Sequence, residues 1–219
     1  MDRQLAALET ANKLLLPVLR ATRRIAAVAR SSIDPSFTPI RVYSSGDRRI
    51  HVAVVNLPGS HPLVVAIYAS TQRSRPTSPQ QLARRLARLA RFVGRLSGNE
   101  YAQADIVYVY MAPRGLTRGS IRLAVKSKIV YASEPSEARR KLAKYLAKRY
   151  RRLLASIMGK RVWGSVPLLA YALSLLAREL GEPLHTPDPH QVLYWVENGV
   201  KGERVSTTYP TTSELTNNS

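Results

Sequence analysis

Hydrophobic and polar residues follow two different periods in the first third of the chain. Residues 2–30 place apolar side chains at helical spacing, and we expect Pro17 to kink this helix or to divide it into two pieces. The next apolar runs are short and rich in β-branched residues, with turn residues between them. They predict three strands, at 40–44, 50–57 and 62–69. Gly46 can adopt the positive φ of a hairpin turn between the first two strands.

Two later helices separate an apolar face from a basic face. The first begins at Ser78 and Pro79, a capping hydroxyl followed by a proline in the first turn. Its basic positions lie roughly 200° around the helix from its apolar stripe, at 100° per residue. They are Arg84, Arg88, Arg91 and Arg95. The second helix runs from Ser133 to about residue 158. Its basic positions are Lys141, Lys144, Lys148 and Arg151.

The segments between these helices predict further strands. Residues 105–111 alternate apolar and aromatic positions with period two, and Pro113 and Gly115 interrupt the pattern. Residues 120–131 are predicted as one longer strand or two shorter ones. In an uninterrupted strand, positions of equal parity project from one face. Three cations of this segment would therefore share a face: Arg122, Lys126 and Lys128.

An apolar helix and a polar end complete the chain. Residues 166–180 suit a core or a subunit interface, so a homodimer through 166–180 is one alternative. The predicted fold class is α+β: a four- to six-stranded, largely antiparallel sheet packed with basic amphipathic helices, followed by the apolar helix. Residues 1–180 are predicted as one domain, and residues 181–219 as an acidic, largely irregular, flexible C-terminal tail, in which 191–196 could form a short helix or an edge strand.

The charge composition of the chain predicts an anionic partner. The chain has 34 Lys and Arg against 14 Asp and Glu, a formal charge of +20 and a pI near 10.9. Residues 84–161 carry 20 of these cations and only 4 acids, a net charge of +16. A polyanion offsets such self-repulsion by exchanging its condensed counterions for Lys and Arg contacts. A surface of ion pairs, as in heat-stable proteins, would instead need abundant Glu in this segment.

Catalytic chemistry has few residues to use in this chain. There is no cysteine, and the four histidines show no metal-ligand spacing. The glycine motifs that cradle phosphates are absent, and carboxylates are too few for two-metal catalysis. We therefore predict a non-enzymatic protein with no cofactor and no metal site. No apolar run approaches the ~18 residues of a membrane span, and the first residues carry acids, so we expect a cytoplasmic protein, with nucleoid association as an alternative.

Aromatic and basic side chains occur together on the predicted strands and their turns. Single-stranded nucleic acid is held by flat or apolar platforms beside cations that follow its phosphates. The predicted platforms are Tyr43, Tyr68, Tyr108 and Tyr110. The predicted phosphate contacts are Arg48, Arg49, Arg73, Arg75, Arg114, Arg118, Arg122, Lys126 and Lys128. The sequence therefore predicts binding of single-stranded DNA or RNA, with little sequence specificity, in a cleft with an aromatic floor and a basic rim.

Arginine-rich helices alternate with three apolar segments, RIHVAVVNLP, ADIVYVYMAPRG and SIRLAVKSKIVYAS. In this organisation the chain resembles the ThermoDBP-related proteins of archaea, a family of single-strand-binding proteins, over roughly residues 1–160. The resemblance implies an α+β fold with a cleft between sheet and helices, an apolar floor and basic flanks. The zipper-like C-terminal helix of that family is matched poorly by 166–180, which has no sustained heptads.

Two alternative functions remain open at the level of sequence. Residues 104–140 also resemble the last half of minimal nucleotidyltransferase domains, in which Asp105 would match the third catalytic carboxylate. The GSxxxG order and the DxD pair of that family are not preserved, so the resemblance implies an inactive, binding-only descendant. The other alternative is a structural protein that coats duplexes, because the cationic faces of 84–95 and 139–152 could lie on a duplex backbone without reading bases.

Overall fold

A five-stranded sheet lies between two layers of helices in the computed structural model, which describes residues 2–72, 74–97 and 103–206. The helices of these ranges are α1 (Asp2–Ser32), α2 (Pro79–Ser97), α3 (Arg118–Lys126), α4 (Pro135–Ile157), α5 (Ser165–Glu179), α6 (Pro189–Asn198) and α7 (Gly202–Ser206). The strands are β1 (Ile40–Ser44), β2 (Ile50–Val55), β3 (Leu63–Ala69), β4 (Asp105–Met111), β5 (Val130–Ala132), β6 (Arg161–Val162) and β7 (Val200–Lys201). β6 and β7 form a separate antiparallel ribbon. No helix within these ranges is long and apolar enough to cross a membrane.

The strands of the main sheet lie side by side in the order of the chain. β1, β2 and β3 form an antiparallel meander, whereas β4 and β5 are added parallel to β3. The helices α2 and α3 make the parallel additions, because a crossover helix returns the chain to the edge where the preceding strand began. The predicted α+β class and the number of strands are confirmed. The sheet is mixed, however, with two antiparallel and two parallel pairings.

Helices cover both faces of the sheet and create two apolar cores. On one face, α1, α4, α5 and α6 pack against strand residues such as Val65 and Ile67. On the other face, α2 and α3 pack against strand residues such as Val64 and Ala66. β2 and β3 are buried along their whole length, which is why their sequences are almost entirely apolar, with His51 as the exception. α1 continues through Pro17 as one helix.

The predicted strand over 120–131 is wrong, because most of this segment belongs to the helix α3. The helix begins after Thr117, whose side chain accepts a hydrogen bond from the Ser120 N–H. Its buried side consists of Ser120 and Ala124, four residues apart. Such small residues do not stand out in a pattern of apolar positions, whereas the exposed β-branched residues of the segment do. A strand forms only at Val130–Ala132.

Helix α5 lies inside the first core instead of on the surface. Every residue from Pro167 to Ala177 is buried except Leu169, and α1, α4 and α6 all contact the helix. The chain itself therefore covers the apolar face that 166–180 would offer to a second copy. This burial removes the basis for a homodimer through 166–180.

The chain after α5 is more regular than the sequence predicts. Asp188 caps α6 by accepting a hydrogen bond from the His190 N–H, and Val192 and Trp195 of this helix belong to the first core. The prediction that 181–219 is largely irregular is therefore wrong for its first part, where α6, β7 and α7 lie. The rest of that prediction, from residue 207 onward, concerns residues outside the described ranges.

Candidate nucleic-acid interface

The layer formed by α2 and α3 carries many cations and no carboxylate. Residues 74–97 and 106–133 together contain eleven Lys and Arg and no Asp or Glu; their solvent-exposed surface is called the α2–α3 face below. On the side of α4 and α5, by contrast, acids neutralise part of the basic charge. The ion pairs there are Lys141–Glu137, Arg149–Asp105, Arg151–Glu182 and Arg24–Glu179. The segments that form the α2–α3 face therefore contain no acid of their own to offset their cations.

Four exposed arginines run along α2, as the helical pattern predicts: Arg84, Arg88, Arg91 and Arg95. Arg88 contacts the Asp47 carboxylate of the β1–β2 turn at 2.9 Å. Burial raises the pKa of Asp47, but hydrogen bonds from Ser45 and Arg88 outweigh burial and lower it. Asp47 thus stays ionised and fixes the turn against α2. In the described part of the chain, no carboxylate forms an ion pair with the other three arginines of this row.

The cations of 118–128 lie on a helix and its following turn, not on a strand face. Arg118, Arg122 and Lys126 are exposed at positions i, i+4 and i+8 of α3, which puts them in one row. The prediction of a shared strand face for Arg122, Lys126 and Lys128 is wrong, although the three do remain on the same layer. Lys128 follows α3 in a left-handed conformation with a φ of 53°.

Left-handed backbone marks two of the predicted cations. Among the residues that the structure describes, Arg48 and Lys128 are the only non-glycine residues with positive φ, at 54° and 53°. This conformation costs a residue with a side chain about 1–2 kcal/mol relative to the right-handed region, and glycine is the usual solution. A basic side chain therefore stands at both sites where glycine would be more stable.

A groove opens between α2 and the turn after α3, and Tyr108 forms part of its floor. Helix α3 ends at Lys126, so Tyr108 is only half-buried, whereas Tyr110 is fully buried. The groove has a volume of about 300 Å³ and is called the Tyr108 groove below. Its lining residues are Leu86, Ala87, Ala90, Tyr108, Ser127 and Ile129. Burial raises the pKa of Tyr108, so its ring stays neutral and offers an apolar face with one hydroxyl.

A second groove lies on the other side of α2, against the β1–β2 turn. It has a volume of about 430 Å³ and is called the hairpin groove below. Ser44, Ser45, Gly46 and Ile50 line it from the hairpin, and Arg88, Arg91, Phe92 and Arg95 line it from α2. Its guanidinium groups and hydroxyls suit an anionic group more than an apolar one. The row of arginines on α2 therefore separates an apolar groove from a polar one.

Tyr68 and Tyr110 are closed off as platforms for bases. Their rings stack on each other with centroids 5.6 Å apart, and their exposures are 3% and 0%. Arg85 of α2 lies over the Tyr68 ring and donates a hydrogen bond to the Tyr110 hydroxyl. The prediction that bases stack on these two rings is wrong, because α2 covers this part of the sheet.

Three of the predicted loop arginines are exposed near the carboxyl ends of the parallel strands. They are Arg48 in the β1–β2 turn, Arg75 before α2 and Arg114 before α3. The turn is fixed to the end of β3, because the Ala69 N–H donates to the Arg49 carbonyl oxygen at 2.8 Å. The two loops are joined to each other by a β-bridge between Thr77 and Leu116. The structure therefore brings the turn and the two loops together at the end of the sheet where the parallel strands have their carboxyl ends.

Two of the remaining predicted binding residues, Arg49 and Tyr43, expose less of their side chains to a ligand. Arg49 is only partly exposed and lies 3.9 Å from Asp47. Tyr43 is half-buried on β1, where it packs against the second core. Arg73 lies outside the described residues.

The sequence pattern places the candidate site on the strands and their turns, so it leaves out the residues of α2 that line the grooves. Arg84, Arg91 and Arg95 belong to the basic row of the helical pattern, whereas Phe92 carries no signal of its own. The signal that could have included them is the complete lack of acids in 74–97. A helix face that must only be solvated normally carries charges of both signs.

The carboxylate that resembles a nucleotidyltransferase ligand is used in structural contacts. The Tyr145 hydroxyl lies 2.7 Å from both oxygens of Asp105, and Arg149 Nη1 lies 3.1 Å from Oδ2. Burial and the Asp105 carboxylate raise the pKa of Tyr145 to about 12, so the hydroxyl stays protonated as a donor. Within the described ranges, no group of three or more His, Cys, Asp or Glu side chains could hold a metal ion.

Comparison with protein-family models, with curated proteins and with solved structures finds no match for this chain. The resemblances to ThermoDBP-related proteins and to nucleotidyltransferases therefore stay predictions.

Proposed function

We propose that this protein binds single-stranded DNA or RNA through the α2–α3 face, without catalysis and with little sequence specificity. The observation that carries the proposal is the layer of eleven cations and no acid, on a protein whose other face neutralises part of its charge. A fixed excess of cations over one face favours a polyanion, because each phosphate contact releases a condensed counterion.

The grooves on either side of α2 support a single strand over a duplex. A base can enter the Tyr108 groove and lie against a neutral ring and aliphatic side chains, which requires an unpaired, flexible base. The phosphates on either side of that base would contact Arg84 and Arg91 on one side, and Lys126 and Lys128 on the other. Because the lining offers few hydrogen-bonding groups besides the hydroxyls of Tyr108 and Ser127, it discriminates weakly between bases.

Coating of duplexes is a second candidate, favoured by the straight row of arginines on α2. Four cations along one helix can contact a duplex backbone without any base entering a groove. The two candidates differ in what the Tyr108 groove does, since a duplex leaves it empty.

Competition among single-stranded DNA, single-stranded RNA and duplex at two salt concentrations tests the proposal. We expect single strands to compete best, with log K falling by about 0.7 per log unit of salt for each phosphate contacted, or about four for six contacts. Stronger binding of the duplex would favour the coating function. An affinity that does not change with salt would contradict both.

Replacing Lys128 by glycine is expected to raise stability and weaken binding at the same time. Glycine relieves a left-handed conformation that costs about 1 kcal/mol, while the salt slope for a single-stranded oligonucleotide falls by about 0.7. Lys128→Ala is the matched control, because it removes the same charge but keeps the unfavourable φ. Thermal unfolding should therefore give a higher Tm for Lys128→Gly than for Lys128→Ala. Salt titration should give the same slope of log K for both variants. Unchanged affinity in both would exclude Lys128 from the interface.

A further inference from the structure

The most exposed aromatic rings of the described residues lie away from the α2–α3 face. Trp163 and Tyr194 are each 63% exposed, against 5% for Trp195. Large aromatic rings usually bury most of their surface, so two such rings in solvent call for an explanation. Neither belongs to the interface described above.

Both rings stand beside one small ribbon near the end of the chain. β6 ends at Val162, which pairs with Val200 of β7, and the next link is a hydrogen bond from the Gly164 N–H to the Val196 carbonyl oxygen at 3.0 Å. Trp163 is the residue between these two links. Tyr194 lies on α6, whose last residues lead directly into β7.

A groove of about 380 Å³ lies along this ribbon and is called the C-terminal groove below. Tyr194 and Trp195 line it together with three exposed cations, Arg161, Lys201 and Arg204. The Arg161 side chain lies close to the backbone just after α6. A Cβ built on Gly199 would lie 3.2 Å from Arg161 Nε. Arg161 Nη2 donates to the Asn198 carbonyl oxygen at 3.1 Å.

The cations of the C-terminal groove are arranged unfavourably unless an anion joins them. Arg161 and Lys201 are direct partners across the antiparallel ribbon, and like charges at such positions are destabilising. No ion pair joins either residue, or Arg204, to a carboxylate of the described ranges. An anionic group between them would remove the repulsion.

We infer that the C-terminal groove and the neighbouring ring of Trp163 form a second contact for single-stranded nucleic acid, with a base stacked on Trp163 and a phosphate in the groove among Arg161, Lys201 and Arg204. The inference rests on the proposed function and extends it to a face that the α2–α3 cations do not reach. An exposed ring beside unpaired cations is the combination that holds single strands. A second copy of this chain is a poorer occupant, because a symmetric contact would bring two sets of the same cations together.

Tryptophan fluorescence tests the inference, because the chain has two tryptophans and only Trp163 is exposed. Titration with an oligothymidylate is expected to quench the wild-type emission. Trp163→Phe should lose most of that quenching yet keep most of the affinity, since a phenyl ring still stacks. Trp163→Ala should weaken binding at least about fivefold, the lower limit for loss of one stacked base.

The charge contribution is tested separately with Arg161→Ala/Lys201→Ala, which should lower the salt slope by about 0.7, the contribution of the one phosphate that these cations contact. If the oligothymidylate binds the wild type without changing its tryptophan emission, and Trp163→Ala binds with wild-type affinity, the inference is overturned while the proposed function stands. Failure of the oligothymidylate to bind the wild type at low salt would overturn both. Concentration-dependent self-association that Trp163→Ala abolishes would assign the groove to a second copy instead.

Discussion

Reversing three charges on α2, in the variant Arg84→Glu/Arg91→Glu/Arg95→Glu, is expected to weaken binding of a single-stranded oligonucleotide by at least roughly a hundredfold at 50 mM salt. Each phosphate contact contributes about 0.7 to the slope of log K against log salt. The affinity supplied by three such contacts at 50 mM salt, relative to 1 M salt, is therefore more than two orders of magnitude. Reversal also adds repulsion to the lost attraction. Arg88 is left in place because its contact with Asp47 at 2.9 Å fixes the β1–β2 turn.

The matched control for this variant lies on the opposite layer. Arg140, Lys144 and Lys148 are three exposed cations on the outer side of α4, at positions i, i+4 and i+8. Replacing them by Glu changes the net charge by the same amount, so any effect of the overall field is equal in the two variants. We expect the α4 variant to lose far less affinity. Equal losses would show that the polyanion is attracted by total charge and not held on the α2–α3 face.

The parts of the fold that could be predicted are those whose apolar residues are large and periodic. β2 and β3 are rich in Val, Ile and Leu, and α2 places large apolar side chains at helical spacing. All three elements lie where the sequence predicts them. α3 was predicted as a strand because its buried side consists of Ser120 and Ala124, which do not stand out as a helical pattern of large apolar residues. The parallel pairing of β3 with β4 was within reach, since a helix between two strands favours it.

The candidate site was harder to predict because burial depends on which helix covers which part of the sheet. Tyr68, Tyr108 and Tyr110 all lie on the same face of neighbouring strands, yet α2 encloses two of the rings and leaves Tyr108 half-exposed. Nothing local distinguishes the three. Likewise, Trp163 follows a strand of only two residues, whose partner strand β7 begins at Val200, so no local pattern predicts the exposure of its ring. Charge depends less on packing, because a segment without acids of its own can be neutralised only by acids from elsewhere in the chain, as Asp47 does for Arg88.

Gly202→Ala, at the start of α7, is expected to produce the largest loss of stability among single substitutions next to the β6–β7 ribbon. A Cβ at this position would lie 2.1 Å from the Ile157 carbonyl oxygen and 2.7 Å from the Ile157 carbonyl carbon. Both are backbone atoms at the end of α4, so no side-chain rotation relieves the clash. Overpacking of this kind costs about 1–3 kcal/mol, which lowers Tm by roughly 3–10 °C in a chain of this size.

Gly94→Ala is the matched control for that substitution, because a Cβ on Gly94, inside α2, meets nothing within 4 Å. It should raise stability by up to about 1 kcal/mol, since alanine restricts the unfolded chain and favours helix. Gly202→Ala must instead displace α7, where Val205 is 1% exposed, and Lys201 beside it. We therefore expect it to reduce tryptophan quenching by an oligothymidylate as well as Tm. A Gly202→Ala protein with unchanged Tm would show that the ribbon is not packed closely on α4, and the convergence of Arg161, Lys201 and Arg204 would lose its structural basis.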